Sequence, residues 1–309
     1  MKIGVYGGNV RRGEALTSLV DEVSQMEERG FASYWFSQVD TYDALTVIAL
    51  AGQQTATIEL GVGVVPTYPR HPYALAQQAA TANVLAGGRL TLGVGPSHRT
   101  GIEDNLGLRY TSPAWHTREY ATILKELVSE GQVKFDGEHF AINAALSVPE
   151  AQPFDVVISA LAPLMLKTAG EVADGTVTWM VGRNTIRSHT VPRITEAARN
   201  AGRDTPPRII VGLPVCVHDD AQEAVERSLQ MFKGYEQLPN YRRQLDAEGL
   251  NQAGKIAVVG KEQQVTEQLR GFLDAGATEV IASVFPAGND RRGSFQRTYE
   301  LLQGLASED

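Results

Sequence analysis

The chain has 309 residues, of which 43% are hydrophobic and 21% are charged, as is usual for a globular protein that buries a large core. Its formal net charge is −8 and its basic clusters are no longer than arginine pairs, which argues against binding of nucleic acid. A single cysteine, Cys216, excludes an intrachain disulfide, and the apolar runs are too short to cross a membrane. The first residues lead directly into a predicted strand with no room for a signal peptide, so we expect a cytoplasmic location.

Short runs rich in apolar and β-branched residues recur along the chain and predict eight parallel β-strands. The runs are continuous rather than alternating in polarity, as expected of strands that are covered on both faces. They comprise residues 2–6, 33–36, 58–65, 90–94, 155–159, 176–180, 208–217 and 279–285.

Helical patterns separate most of these strands. One apolar stripe predicts an amphipathic helix after the first strand, and its members are Leu16, Leu19, Val20, Val23 and Met26. Pro72 suits the first position of the helix after the third strand, and Gly87 and Gly88 can end that helix. Repeated αβ units can form an open doubly wound sheet or a barrel, and eight strands favour a (β/α)8 TIM barrel.

We expect one domain over residues 1–309, with three insertions. The insertions comprise residues 96–113, 131–154 and 235–255, and the second contains a predicted hairpin at 133–142. Insertions after barrel strands commonly form the walls of an active site. The six histidines are scattered without metal-ligand spacing, so we expect no metal site.

Several stretches have the order and composition of a known family. They read G-F-A-S-Y-W-F-S at 30–37, I-E-L-G-V-G-V-V-P-T-Y-P-R-H-P at 58–72, G-R-L-T-L-G-V-G at 88–95 and A-D-G at 173–175. Together they resemble the bacterial luciferase-like superfamily, and residues 258–280 resemble its last helix and strand. The resemblance implies a (β/α)8 barrel that uses FMN or the deazaflavin coenzyme F420. The R-H-P and G-R-L-T-L-G-V-G pair is most similar to the F420-dependent hydride-transfer branch.

The resemblance also implies positions for the cofactor ring. At Gly63 and Val64, F420-dependent members have a non-prolyl cis peptide in a bulge behind the ring, whereas an ordinary strand glycine is the alternative. Pro96, Ser97 and His98 follow the fourth strand, where Ser97 and His98 would contact the cofactor or substrate. His98 would exchange a proton there. Alternatively, these residues form a solvated turn.

The end of the second strand departs from the family pattern. Many F420-dependent relatives have Asp-His after this Trp-x-Ser stretch, but here Ser37 is followed by Gln38 and Val39. Ser37 is expected to contact the cofactor. Gln38 can orient a carbonyl group or the cofactor ring but cannot titrate, so a proton must come from His98, another wall residue or water. Alternatively, Gln38 satisfies backbone groups at the strand end.

The resemblance implies that residues at two further strand ends bind the cofactor. Ala160, Leu161 and Ala162 stand where relatives have a glycine-rich loop that holds the phosphate, with Leu161 in place of a glycine. A plain turn is the alternative. Trp179 and Met180 are expected against the phosphate arm or the ring, or else in the core.

The implied reaction is hydride transfer between F420 and a small organic substrate. Without Asp-His there is no obvious base for alcohol oxidation, which favours reduction of a C=C, C=N or nitroaromatic group. Asn9, near Arg11 and Glu14, and Thr67 are the candidate substrate contacts. The alternatives are an FMN-dependent luciferase-like monooxygenase and a barrel that binds a flavin without turnover. Barrels of this superfamily commonly dimerise, so we expect a homodimer.

Overall fold

A computed structural model of the chain describes residues 1–8 and 15–308. Within these ranges the strands are β1 Ile3–Gly8, β2 Ser33–Phe36, β3 Glu59–Pro66, β4 Leu90–Gly95, β5 Gln132–Asp136, β6 Ala141–Ala145, β7 Asp155–Ile158, β8 Gly175–Trp179, β9 Arg208–Val217, β10 Val258–Gly260 and β11 Glu279–Val284. The α-helices are α1 Leu16–Glu28, α2 Ala44–Gln54, α3 Pro72–Leu85, α4 Pro113–Glu130, α5 Pro163–Val172, α6 Arg183–Thr185, α7 Val191–Asn200, α8 Ala221–Phe232, α9 Pro239–Ala247, α10 Glu262–Asp274 and α11 Arg291–Ala306.

Eight of the strands in the described ranges close into a parallel barrel. The order is β1-β2-β3-β4-β7-β8-β9-β11, and β11 pairs with β1 through Val280 and Ile3. The pairing of Gly175 with Arg208 joins β8 to β9. The predicted (β/α)8 barrel is therefore confirmed. The extra strand β10 pairs in parallel with the end of β9 outside the barrel and was not predicted. The assignment of residues 1–309 to one domain stays a prediction.

Local sequence accounts for the helices that surround the barrel. Most of the predicted stripe of α1 is buried, at Leu19, Val20, Val23 and Met26. Pro72 begins α3, and that helix is followed by a turn in which Gly87 (φ 60°) and Gly88 (φ 82°) are both left-handed, which favours glycine. Among the helices of the described ranges, none has the length and apolar character of a membrane-spanning segment.

The insertions lie on the outside and at the mouth of the barrel. The predicted hairpin is present as the antiparallel pair β5 and β6. Its tip is held by Glu119 of α4, whose carboxylate accepts hydrogen bonds from the backbone amides of Glu138, His139 and Phe140 at 2.8–3.0 Å. The third insertion forms two short 3₁₀ turns and α9.

An ionic network closes the amino-terminal end of the barrel. Arg208, the first residue of β9, donates to Glu59 (2.6 Å), Asp155 (2.8 Å) and Glu279 (3.0 Å), which are the first residues of β3, β7 and β11. Glu279 is fully buried, and Lys2 Nζ lies 3.1 Å from it. Burial alone would raise the pKa of Glu59, but Arg208, Lys2 and a hydrogen bond from Thr91 together lower it. Buried charges of this kind need every partner in place.

We expect Arg208→Ala to lower the free energy of unfolding by about 3–5 kcal/mol, because the fully buried Glu279 loses its guanidinium partner and keeps only the half-exposed Lys2. Urea denaturation at neutral pH measures the effect. The matched control is Arg270→Ala, which removes a half-exposed pair with Glu308 and should cost less than about 1 kcal/mol. Equal losses in the two variants would contradict the structural role of Arg208.

Candidate active site

A cavity of about 590 Å³ opens at the carboxyl ends of the barrel strands. Strand residues such as Tyr6, Val177 and Ile281 line it, together with the connections after β2, β4 and β7 and part of the third insertion. Its volume lies within the range of small-molecule sites, and this end of a (β/α)8 barrel is where such sites are built.

A bulge in β3 shapes one wall of this cavity. Gly63 and Val64 together lie opposite the single β4 residue Gly93, and the peptide bond between them is cis, which confirms the prediction from the family resemblance. A Cβ atom at Gly93 would collide with the carbonyl oxygen of Val62. A Cβ at Gly95 would lie 3.1 Å from a methyl group of Val64. Glycines in β4 therefore make room for the bulge.

Aromatic side chains form much of the remaining lining. The rings of Tyr6 and Trp179 have centroids 5.3 Å apart, and Phe232 packs edge-on to Trp179 at 6.1 Å. Tyr235 and Tyr241, from the third insertion, are 4.8 Å apart. The sequence predicts that this insertion forms part of the active-site wall, but it does not indicate which of its residues face the cavity. It predicts Tyr6 only as a strand residue.

The described part of the cavity lining carries no charged side chain. Among the described residues that line it there is no Asp, Glu, Lys or Arg. Burial raises the pKa of Tyr6 to about 12, although a hydrogen bond with Ser37 opposes the shift, and burial also raises the pKa values of Tyr235 and Tyr241. Burial lowers the pKa of His98. All four side chains are therefore neutral at pH 7.

The start of helix α5 lies at this cavity and has no side-chain cap. Ala162 is its N-cap residue and supplies no side-chain hydrogen bond, and both Leu161 and Ala162 line the cavity. The helical stretch that begins at α6 differs from α5 because a side chain already occupies its start. The Glu248 carboxylate accepts a hydrogen bond from the Thr185 amide at 2.5 Å. A helix start without a cap is suited to an anionic group such as a phosphate.

The sequence matches the family model of luciferase-like monooxygenases over residues 2–279. The chain belongs to this family. The resemblance to this superfamily that the sequence predicts is therefore confirmed.

Individual relatives span nearly the whole chain. The chain is 25% identical to the 5,10-methylenetetrahydromethanopterin reductase of Methanopyrus kandleri, over 91% of this chain and 92% of the relative. Its fold is similar to that of an F420-dependent secondary alcohol dehydrogenase in complex with an F420–acetone adduct (TM-score 0.80, 20% identity, 100% and 99% of the two chains). It is also similar to the oxygenating constituent of 3,6-diketocamphane monooxygenase from Pseudomonas putida in complex with FMN (TM-score 0.75, 16% identity, 100% and 97%).

The structure brings most of the predicted site residues of this family member together. Those that line the cavity are Ser37, Gln38, Gly63, Val64, Pro96, Ser97, His98, Leu161, Ala162 and Trp179. The Gln38 side chain also accepts a hydrogen bond from the amide of Ala44 at 2.8 Å, so it satisfies the start of α2 as well as facing the cavity.

Three predicted residues do not line the cavity. Thr67 is 1% exposed and its amide donates to the Gly95 carbonyl oxygen, which ties it into the sheet. Ala160 and Met180 are buried among core residues. Asn9, with Arg11 and Glu14, lies outside the described residues.

Proposed function

We propose that the protein is an F420-dependent oxidoreductase that reduces a C=C, C=N or nitroaromatic group of a small organic substrate. The observation that carries this proposal is the similarity to a 5,10-methylenetetrahydromethanopterin reductase over 91% of this chain and 92% of that enzyme. The cavity is consistent with such a role, because it lies at the catalytic end of the barrel and is large enough for a small ligand.

The residues of the cavity suit a deazaflavin with a phosphate arm. Val64 and Trp179 offer apolar surface to a planar ring, and Ser37 and Ser97 offer hydroxyl groups. The amides at the start of α5, near Ala162, would hold the phosphate. When bound, F420 would supply the hydride that the substrate accepts.

The titratable side chains beside the proposed site of hydride transfer are neutral at pH 7. His98 and the tyrosines Tyr6, Tyr235 and Tyr241 are the titratable groups that line the described part of the cavity. The proton that balances the hydride is therefore exchanged at one of these groups or with water. His98 is unprotonated at pH 7, so it can accept a proton or donate a hydrogen bond from its ring N–H.

An FMN-dependent monooxygenase is the second candidate. The structural similarity to the FMN complex of 3,6-diketocamphane monooxygenase favours it. A barrel that binds a flavin without turnover is the third. The three are separated by which cofactor binds and by whether the loaded protein reduces an acceptor.

We expect the protein to bind F420 with micromolar affinity, measured by quenching of F420 fluorescence. Ala162→Asp should weaken this binding at least about tenfold, because the new carboxylate would occupy the amides at the start of α5. Micromolar binding of FMN without binding of F420 would overturn the proposal.

The matched control for this titration is Gln263→Glu. It adds a carboxylate to the first turn of α10, at an exposed position that does not line the cavity, and should leave F420 binding unchanged. An equal effect of both variants would show that the start of α5 does not hold the phosphate. F420 binding without turnover of any unsaturated acceptor would favour the non-catalytic barrel.

We also propose that the partner is a second copy of this chain. Helices α2 and α3 pack side by side and contain no charged residue, and Leu50 and Leu85 are 44% and 38% exposed on them. An uncharged outer face with exposed leucines is typical of an interface between identical subunits. The cytoplasmic location stays a prediction.

The double variant Leu50→Glu/Leu85→Glu should be a monomer under conditions in which the unaltered protein is a dimer, as measured by light scattering after size-exclusion chromatography. Leu106→Glu is the control, since Leu106 is 54% exposed but lies on the connection after β4. A monomeric unaltered protein, or a dimeric double variant, would contradict this interface.

A further inference from the structure

We propose that Tyr241 is a catalytic residue whose hydroxyl donates a hydrogen bond to an oxygen or nitrogen atom of an uncharged, conjugated acceptor. This atom gains negative charge as the acceptor receives the hydride. The inference rests on the proposed hydride transfer, and it defines both the substrate class and a role for the third insertion.

Tyr241 lies where the polar groups of the cavity converge. Tyr241 belongs to α9. Its ring centroid lies 4.8 Å from the ring centroid of Tyr235 and 6.2 Å from that of His98. The hydroxyls of Tyr235 and Tyr6 are close enough to add to the effect of burial, which raises the pKa of Tyr241 well above its ordinary value. The hydroxyl therefore keeps its proton and can act as a donor.

The Tyr6 hydroxyl already has a protein partner, because it donates to the carbonyl oxygen of Gly63. In the ranges 1–8 and 15–308, no protein atom forms a hydrogen bond with the Tyr241 hydroxyl. Because this hydroxyl faces the cavity without a protein partner, we infer that the ligand supplies one.

The uncharged lining limits which acceptors fit. A charged substrate would lose its hydration without gaining an oppositely charged side chain from the described lining, which is costly. A neutral substrate enters without this cost. Negative charge that develops during the reaction is then stabilised by hydrogen bonds, which are stronger in a site that excludes water.

The electron balance is simplest for an α,β-unsaturated ketone. The ketone gains a hydride at its β carbon, and the electron pair of the C=C bond moves so that charge develops on the carbonyl oxygen beside Tyr241. A proton from water, directly or through His98, then adds to the α carbon. The ketone is reduced by two electrons, and reduced F420 is oxidised by two. A nitroarene would place the same charge on a nitro oxygen.

The binding test uses 4-nitrophenolate, a planar anion whose oxygen stands in for the charged oxygen of the acceptor. Difference absorbance with the full-length protein measures its affinity. Tyr241→Phe should weaken 4-nitrophenolate binding about 10- to 100-fold, as expected for a hydrogen bond to a charged atom. Binding of 4-nitroanisole, which has no ionisable oxygen, should change less than about twofold.

Tyr6→Phe is the matched control, and we expect a loss of 4-nitrophenolate affinity below about threefold, because the Tyr6 hydroxyl is already engaged with the carbonyl oxygen of Gly63. Equal phenolate binding by Tyr241→Phe and the unaltered protein would overturn the proposal. So would the absence of phenolate binding by the unaltered protein.

The kinetic test uses reduced F420 with 2-cyclohexen-1-one and with nitrobenzene under anaerobic conditions. Tyr241→Phe should lower kcat about 100-fold or more while F420 affinity is unchanged. Absence of turnover of both acceptors by an unaltered protein that binds F420 would overturn the substrate class. If F420 does not bind at all, the proposed function fails, and the phenolate measurement still decides the role of Tyr241.

Discussion

The fit of the β3 bulge against the glycines of β4 is the constraint on which the cavity depends. The carbonyl oxygen of Val62 and a methyl group of Val64 occupy space that any side chain at Gly93 would fill, and the other methyl group of Val64 lies close to Gly95. A bulge bends its strand and redirects a side chain. Here it brings Val64 to the barrel mouth and presents the Gly63 carbonyl oxygen to Tyr6. The glycine pattern of β4 is therefore a packing requirement of the site.

The two ends of the barrel differ in their content of charged side chains. At the amino-terminal end, Arg208 pairs with several carboxylates, among them the fully buried Glu279. At the carboxyl end, the described lining has no Asp, Glu, Lys or Arg, and burial shifts the pKa values of His98 and Tyr241 further towards their neutral forms. The charged residues that link the strands therefore lie at the end of the barrel opposite the cavity. Its hydrogen bonds act in surroundings of low polarity, where they stabilise developing charge most strongly.

Sequence periodicity was sufficient for the barrel but not for the whole site. Continuous apolar runs predict the barrel strands, whereas the three residues of β10 are too few to form a recognisable pattern. The bulge at Gly63 came from family resemblance rather than from periodicity. Tyr241 could not be predicted, because nothing local in residues 235–255 encodes how this insertion folds back over the mouth. Thr67 follows β3, but its amide joins the sheet and it does not line the described cavity.

We propose that this cavity binds F420 with its phosphate at the start of α5. A crystal structure of the complex with F420 tests this arrangement most directly. We expect the deazaflavin ring against Val64 and Trp179 and the phosphate on the amides near Ala162. A phosphate at the start of α6, with Glu248 displaced, or F420 bound outside the cavity would contradict the proposed arrangement.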